Sequence, residues 1–148
     1  MGIDHSTHAC AESKGEHYQG EVVIASEVDI VSVRKAVREA SVKLGFGVTD
    51  VTRIVTAASE LARNTYLYAS SGRMCWRRIS NAGRSAIELV FEDRGPGIAD
   101  IACAMQEGYT SGGGLGMGLP GTQRLMDEME ITSEPGKGTT VMVRKWRR

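Results

Sequence analysis

A carboxylate and a carboxamide lie four residues apart in the segment Glu60-Leu61-Ala62-Arg63-Asn64. On a helix this spacing places both side chains on one face, one turn apart. An Asn side chain offers a neutral oxygen that suits Mg²⁺, and a Glu can polarise a hydroxyl group or a water molecule. The same pair also fits the solvated side of an ordinary amphipathic helix, so its meaning depends on the rest of the chain.

A second motif, Asp93-Arg94-Gly95-Pro96-Gly97, follows directly after a stretch of alternating apolar and polar residues that is typical of a β-strand. An Asp at a strand end can accept a hydrogen bond from an exocyclic amine such as that of adenine. The glycines allow the backbone to approach a flat ring closely. An ordinary Asp/Gly/Pro turn has the same composition, so the motif alone leaves both interpretations open.

The third motif is a glycine-dense stretch just before a predicted helix. Backbone N–H groups of such a loop, together with a helix N-terminus, are suited to bind phosphate oxygens. The stretch consists of Gly112, Gly113, Gly114, Leu115, Gly116, Met117 and Gly118.

Two other glycine patterns are weaker. Gly116, Gly118 and Gly121 match the G-x-G-x-x-G pattern of dinucleotide-binding proteins, but no strand leads into them, which argues against that kind of site. Residues 136–139, with the sequence GKGT, resemble a Walker loop only faintly, because Gly138 interrupts the Gly-Lys-Thr order. We interpret them as a hairpin turn.

The first half of the chain predicts the elements that would position these motifs. A short strand over residues 21–25 is followed by a helix that runs from an N-cap at Ser26 to about Leu44. A second helix starts at an N-cap at Thr49 or Asp50 and carries the first motif. Both helices show apolar residues at three- and four-residue steps, so each should bury one face.

The second half predicts hairpins and one further helix, opened by Pro120. The predicted strands cover residues 73–79, 87–92, 129–132 and 139–146. Helices grouped apart from mostly antiparallel strands predict an α/β (α+β) two-layer sandwich rather than a doubly wound parallel sheet. We expect residues 20–148 to form a single domain and residues 1–19 to form a loose N-terminal tail.

Composition narrows the choice of partners and compartment. The chain has 148 residues and a formal net charge of zero, so no broad field favours nucleic acid or an anionic membrane. Its three cysteines are scattered, which argues against a disulfide framework or a thiolate zinc site. No apolar run is long enough to span a bilayer. We therefore expect a soluble, cytoplasmic protein.

In this order, the three motifs resemble the N-box, the Asp-x-Gly-x-Gly box and the Gly-x-Gly lid box of the GHKL (Bergerat-fold) ATPases and kinases. Residues 56–64, 95–98 and 114–121 resemble those of the anti-sigma-factor serine/threonine kinases, and most of all the RsbT-type switch kinases of bacterial stress-response modules. The resemblance covers roughly residues 20–146. It implies a Bergerat fold with a mixed, mostly antiparallel sheet and a glycine-rich ATP lid.

The resemblance also implies a role for each motif residue. Glu60 would be the catalytic base, Asn64 would bind Mg²⁺, and Asp93 would bind the adenine of ATP. Gly95 and Gly97 would lie beside the ring, and Thr140 would approach it. The lid residues that would contact the nucleotide are Gly112, Gly113, Gly114, Leu115, Gly116, Met117 and Gly118.

The implied activity is phosphorylation of a STAS-domain anti-sigma-factor antagonist by Mg-ATP. Release from that antagonist would free the protein to activate a PP2C-type phosphatase, in a partner switch that can be part of a stressosome-like assembly. The alternative is an anti-sigma factor that sequesters a sigma factor in a nucleotide-dependent way. A third reading, nucleotide binding without transfer, is disfavoured by Glu60.

One feature is independent of the resemblance: residues 98–118 contain no Lys and no Arg. Phosphoryl transfer depends on electrostatic stabilisation of the phosphate charge. This stabilisation would therefore have to come from Mg²⁺, from lid N–H groups and from either Arg63 or Arg124.

Overall fold

The structure is a computed structural model that describes residues 18–97 and 118–148. Within these ranges the chain forms five strands and three helices. In chain order they are β1 (Gly20–Ile24), α1 (Glu27–Lys43), α2 (Val48–Ala69), β2 (Gly72–Asn81), β3 (Arg84–Asp93), α3 (Gly118–Leu125), β4 (Glu128–Glu134) and β5 (Gly138–Trp146).

The five strands form one sheet in the order β1-β2-β3-β5-β4. Every neighbouring pair in the described part of the chain is antiparallel, so the mixed component of the expected sheet is not found there. The helices cover one face of this sheet, which we call the inner face. The predicted two-layer α/β sandwich is confirmed.

Alternation along β3 sets which side chains enter the core. Ile87, Leu89 and Phe91 point to the inner face and are buried against apolar residues of α1 and α2. Each such side chain contributes roughly 1.5–3 kcal/mol of burial free energy. The α2 helix contacts α1, α3 and the sheet, so its orientation is fixed from three sides.

The start of α1 agrees with the predicted N-cap at Ser26. The Asp29 carboxylate accepts hydrogen bonds from the backbone N of Ala25 at 2.8 Å and of Ser26 at 3.0 Å. These bonds, led by the one from Ala25, lower the pKa of Asp29. Asp29 therefore carries negative charge at the positive end of the helix dipole.

The predicted N-cap of α2 at Thr49 or Asp50 is wrong, because the helix begins earlier. Gly47 is the N-cap, and its carbonyl accepts the first helical bond, from the N of Val51 at 2.9 Å. The buried Phe46 explains the shift, because its contact with the core leaves only one residue before the helix. A pattern of capping residues in the sequence carries no information about this tertiary contact.

The helix α3 also begins earlier than predicted, at Gly118 rather than at Pro120. Pro120 lies in its first turn, where no N–H donor is needed, so the ring causes no break. The described helices include none that is both long and apolar enough to cross a membrane.

The opposite face of the sheet, which we call the outer face, carries a buried ion-pair network. Glu88 is only 2% exposed. It accepts hydrogen bonds from Nε of Arg77 at 2.6 Å and Nε of Arg144 at 2.8 Å. Cys75 on the same face is buried and disulfide-bonded, which the scattered cysteines did not predict.

Candidate active site

The carboxylate and the carboxamide of the first motif lie in the middle of α2. Glu60 is only 5% exposed, and Asn64 is half-buried one turn further along. Neither side chain forms a hydrogen bond with a residue in the described ranges; the nearest charged group to Glu60 is Nε of Arg63, 4.0 Å from Oε2. A half-buried amide and a buried carboxylate with unused bonding capacity are suited to an external ligand.

Asp93 ends β3, and its side chain is held by two backbone donors. Oδ1 accepts hydrogen bonds from the N of Gly95 at 2.8 Å and the N of Thr139 at 3.3 Å. Oδ2 forms no hydrogen bond with a described residue, so it is the oxygen that can accept one from a ligand amine. Burial raises the pKa of the Asp93 carboxyl, and the two backbone bonds oppose this only in part.

The two glycines after Asp93 allow close packing within the protein. A Cβ on Gly95 would lie 2.6 Å from Cβ of Ala69, at the end of α2. Gly97 has a φ of +78°, and a Cβ there would overlap the carbonyl of Glu134. The loop thus fits between α2 and the β4–β5 turn, where the N of Gly136 donates to the carbonyl of Pro96 at 2.7 Å. The expected contact of Gly95 and Gly97 with an adenine ring stays a prediction.

A small pocket opens beside Asp93 in the β4–β5 hairpin. Thr140 lines it together with Asp93, while the bond to the carboxylate comes from the preceding residue, Thr139. The hydroxyl of Thr139 is fixed by Ser133 Oγ at 2.9 Å. Thr139 was missing from the predicted site, and the run of two threonines gave no signal to prefer one over the other.

The predicted lid belongs largely to the part of the chain that is not described. Gly112, Gly113, Gly114, Leu115, Gly116 and Met117 all lie outside the described residues. Gly118 begins α3, with a φ of +58°, and its carbonyl accepts a hydrogen bond from the buried Thr122 hydroxyl at 3.1 Å. Because α3 packs against α2, Gly118, the last residue of the predicted lid, belongs to a helix that contacts the one carrying Glu60.

The two polar ends of the site are separated along α2. The helix ends at Ala69, nine positions after Glu60, and the Asp93 loop packs against Ala69. At about 1.5 Å per residue this corresponds to roughly 14 Å. An elongated ligand with a base at one end and charge at the other suits this layout.

We expect Asp93→Asn to keep or increase the stability of the fold. The same variant should bind adenine nucleotides about tenfold or more weakly, since a charge-assisted hydrogen bond contributes about 1.5–3 kcal/mol. A raised pKa means that the folded state binds the proton more tightly than the unfolded chain does. The contribution of Asp93 to stability therefore falls as pH rises from the unfolded pKa through the folded one. Urea unfolding between pH 4 and 7 should show this fall in the wild type and a smaller one in the variant.

The matched control is Asp127→Asn, because the pKa of Asp127 is lowered in the folded protein whereas that of Asp93 is raised. Burial acts to raise the pKa of Asp127, but the Trp146 N–H and the cations of Lys145 and Arg148 outweigh it and lower the pKa. Its contribution to stability is present above the unfolded pKa and is lost as pH falls through the folded one. Asp127→Asn should thus destabilise the protein at pH 7 without changing nucleotide affinity. The same pH profile in both variants would contradict the assignment.

Comparison with known families bears directly on this site. Residues 49–147 match the family model of the histidine kinase-, DNA gyrase B-, and HSP90-like ATPases. The chain is 46% identical over 127 residues to the serine/threonine-protein kinase RsbT of Bacillus subtilis, covering 86% of this chain and 96% of the relative. It is 36% identical over 101 residues to the anti-sigma F factor of Clostridium kluyveri, covering 65% of this chain and 70% of the relative.

Two solved structures share the fold. The RsbU and RsbW domains of Rv1364c from Mycobacterium tuberculosis match with a TM-score of 0.58 and 20% identity, over 90% of this chain and 34% of that one. The mycobacterial sensor histidine kinase MprB matches with a TM-score of 0.53 and 16% identity, over 87% of this chain and 97% of that one. The predicted GHKL fold is therefore confirmed, and the chain belongs to the family of histidine kinase-, DNA gyrase B- and HSP90-like ATPases.

Proposed function

We propose that this protein is an ATP-dependent serine/threonine kinase of a partner-switching module. The observation that carries the proposal is the buried Glu60 carboxylate, which has no hydrogen-bond partner among the described residues and lies one turn from an equally unengaged Asn64. The 46% identity to a serine/threonine-protein kinase over most of both chains supports transfer rather than binding alone.

The residues present fit Mg-ATP. Asn64 supplies a neutral amide oxygen for Mg²⁺, and the oriented Asp93 carboxylate supplies an acceptor for an adenine amine. Gly118 would contribute its backbone at the phosphate end, with the preceding lid residues. When bound, Mg²⁺ supplies charge neutralisation at the phosphates.

Glu60 would act on the acceptor hydroxyl. Its carboxylate accepts the proton of a serine hydroxyl as the oxygen bonds to the γ-phosphorus. The bond between the γ-phosphorus and the bridging oxygen breaks, and ADP leaves with that electron pair. The products are a phosphoserine, ADP and the protonated carboxyl, which returns its proton to solvent.

The proposed substrate is a STAS-domain anti-sigma-factor antagonist, and the proposed second partner is a PP2C-type phosphatase in a stressosome-like assembly. We place this activity in the cytoplasm and within one domain over residues 20–148. The alternative of sigma-factor sequestration has less support, because the anti-sigma F factor relative matches at lower identity and over less of the chain than the kinase does.

The test is transfer of labelled γ-phosphate from Mg-ATP to a purified STAS-domain protein encoded in the same genome. Glu60→Gln should lower the transfer rate at least about 10²-fold, the usual minimum for loss of a general base, with ATP affinity little changed. Asn64→Ala should lower both transfer and Mg²⁺-dependent ATP affinity.

Glu39→Gln serves as the control, since Glu39 is exposed on α1 and forms no ion pair with described residues. It should leave the transfer rate unchanged. Unaltered transfer by Glu60→Gln would remove Glu60 as the base. ATP binding with no transfer by the wild type would instead favour nucleotide-gated sequestration, which co-purification with a sigma factor would support.

A further inference from the structure

The phosphates of a bound nucleotide need a cationic side chain that residues 98–118 do not supply, because that stretch contains no Lys or Arg. Uncompensated phosphate charge in a partly buried site is costly. A cation from another part of the chain, next to Glu60, would therefore have to meet this charge.

Arg63 has the geometry for this role. Its Nε lies 4.0 Å from Oε2 of Glu60, and its side chain is 37% exposed. This Nε is itself buried and has no hydrogen-bond acceptor. A buried donor without an acceptor is unfavourable in the unliganded protein and is satisfied when a ligand oxygen arrives.

Lys145 and Lys137 are engaged with other groups of the protein. Nζ of Lys145 donates to the carbonyl of Leu125 at 2.9 Å, and Nζ of Lys137 pairs with Glu134 at 3.3 Å. Arg124 lies in the last turn of α3 and has an interaction of its own in the structure. Of the two arginines that the sequence left open, Arg63 is the one whose guanidinium lies 4.0 Å from the Glu60 carboxylate.

We infer that Arg63 is the residue that binds the phosphate groups of the nucleotide beside Glu60, through the Nε–H that has no acceptor in the unliganded protein. The same guanidinium lies 4.0 Å from the Glu60 carboxylate, so a phosphate bound to it would be close to the proposed base. This inference deepens the proposed kinase function and rests on it for the identity of the ligand.

The experiment compares the affinities of ATP, ADP and AMP for the wild type, Arg63→Gln and Arg63→Lys at fixed Mg²⁺. Arg63→Gln should lose ATP affinity about tenfold or more, in the range of a charge-assisted hydrogen bond, while AMP affinity changes less than about twofold. Arg63→Lys should recover only part of the ATP affinity, because the charge is kept but the Nε–H donor is lost. Arg53→Gln is the matched control on the same helix, since Arg53 pairs with Asp50 at 3.0 Å and should leave all three affinities unchanged.

Three results would overturn the inference. Equal losses of ATP and AMP affinity in Arg63→Gln, accompanied by a lower Tm, would make Arg63 a structural residue. Unchanged ATP affinity would remove it from the phosphate site, and absence of nucleotide binding by the wild type would overturn both this inference and the kinase. Wild type that binds ATP selectively through Arg63 but transfers no phosphate would refute the kinase alone.

Discussion

Replacing Gly138 by Ala should lower the free energy of unfolding by about 4 kcal/mol, the combined effect of backbone strain and steric overlap. Gly138 begins β5 with a φ of +121°, which L side chains rarely adopt. A Cβ there would overlap the carbonyl oxygen of Asp93 and lie 2.8 Å from Cα of Arg94. Both contacts are with backbone, so β3 and β5 must separate to relieve them. Urea unfolding followed by far-UV circular dichroism measures the loss.

Gly136→Ala is the matched control in the same hairpin. Gly136 also has a positive φ, of +80°, but nothing lies within 4 Å of the position that a Cβ would take. This variant should therefore carry only the conformational cost, about 1–2 kcal/mol. Equal losses in the two variants would show that the overlap with Asp93 is relieved without cost. Because Asp93 is displaced only in Gly138→Ala, that variant should also lose adenine-nucleotide affinity where it is still folded.

The hairpins could be predicted from the sequence because each turn contains a glycine, Gly83 in one and Gly136 in the other, that adopts a positive φ. The β2–β3 turn has positive φ at both Ala82, +53°, and Gly83, +79°, as a type I′ turn requires. The β4–β5 turn likewise uses the expected Gly136. The N-terminus of α2 could not be predicted, because burial of Phe46 rather than a capping side chain decides where the helix begins.

The candidate site was predictable in its residues and less so in its contacts. Helical periodicity alone predicts that Glu60 and Asn64, four residues apart, lie on one face of a helix. The structure places both on α2 as expected. That Thr139 rather than Thr140 donates to Asp93 depends on the register of β5 against β3, which no local pattern encodes. The absence of Lys and Arg from residues 98–118 was visible in the sequence, but proposing Arg63 rather than Arg124 required the distance between Arg63 and Glu60.

The burial of acidic side chains on the outer face is the feature that the sequence pattern predicts least well. Alternation in β3 predicts that Glu88 and Glu92 point away from the core, and polar residues at such positions normally face water. Both are nearly fully buried instead, because arginine side chains from the neighbouring strands lie over them. The strand order that brings Arg77 and Arg144 to either side of Glu88 is a tertiary property.

Replacing Glu88 by Ala should therefore cost about 3–5 kcal/mol of unfolding free energy, far more than an exposed ion pair contributes. Glu88 lies between Arg77 on β2 and Arg144 on β5, so its removal leaves two partly buried guanidinium groups without their shared carboxylate. A guanidinium group stays protonated in proteins, so neither arginine can lower this cost by losing its proton. Chemical denaturation at pH 7 measures the change.

The comparison that isolates burial is Glu134→Ala, which breaks the exposed pair with Lys137 and should cost less than about 1 kcal/mol. Replacing Glu88 by Leu together with both Arg77 and Arg144 by Met should recover much of the Glu88→Ala loss, since apolar groups of similar volume avoid the cost of desolvated charge. A loss for Glu88→Ala no larger than that for Glu134→Ala would show that water reaches the network. The outer face would then stabilise the sheet through Val90 and the arginine stems rather than through charge.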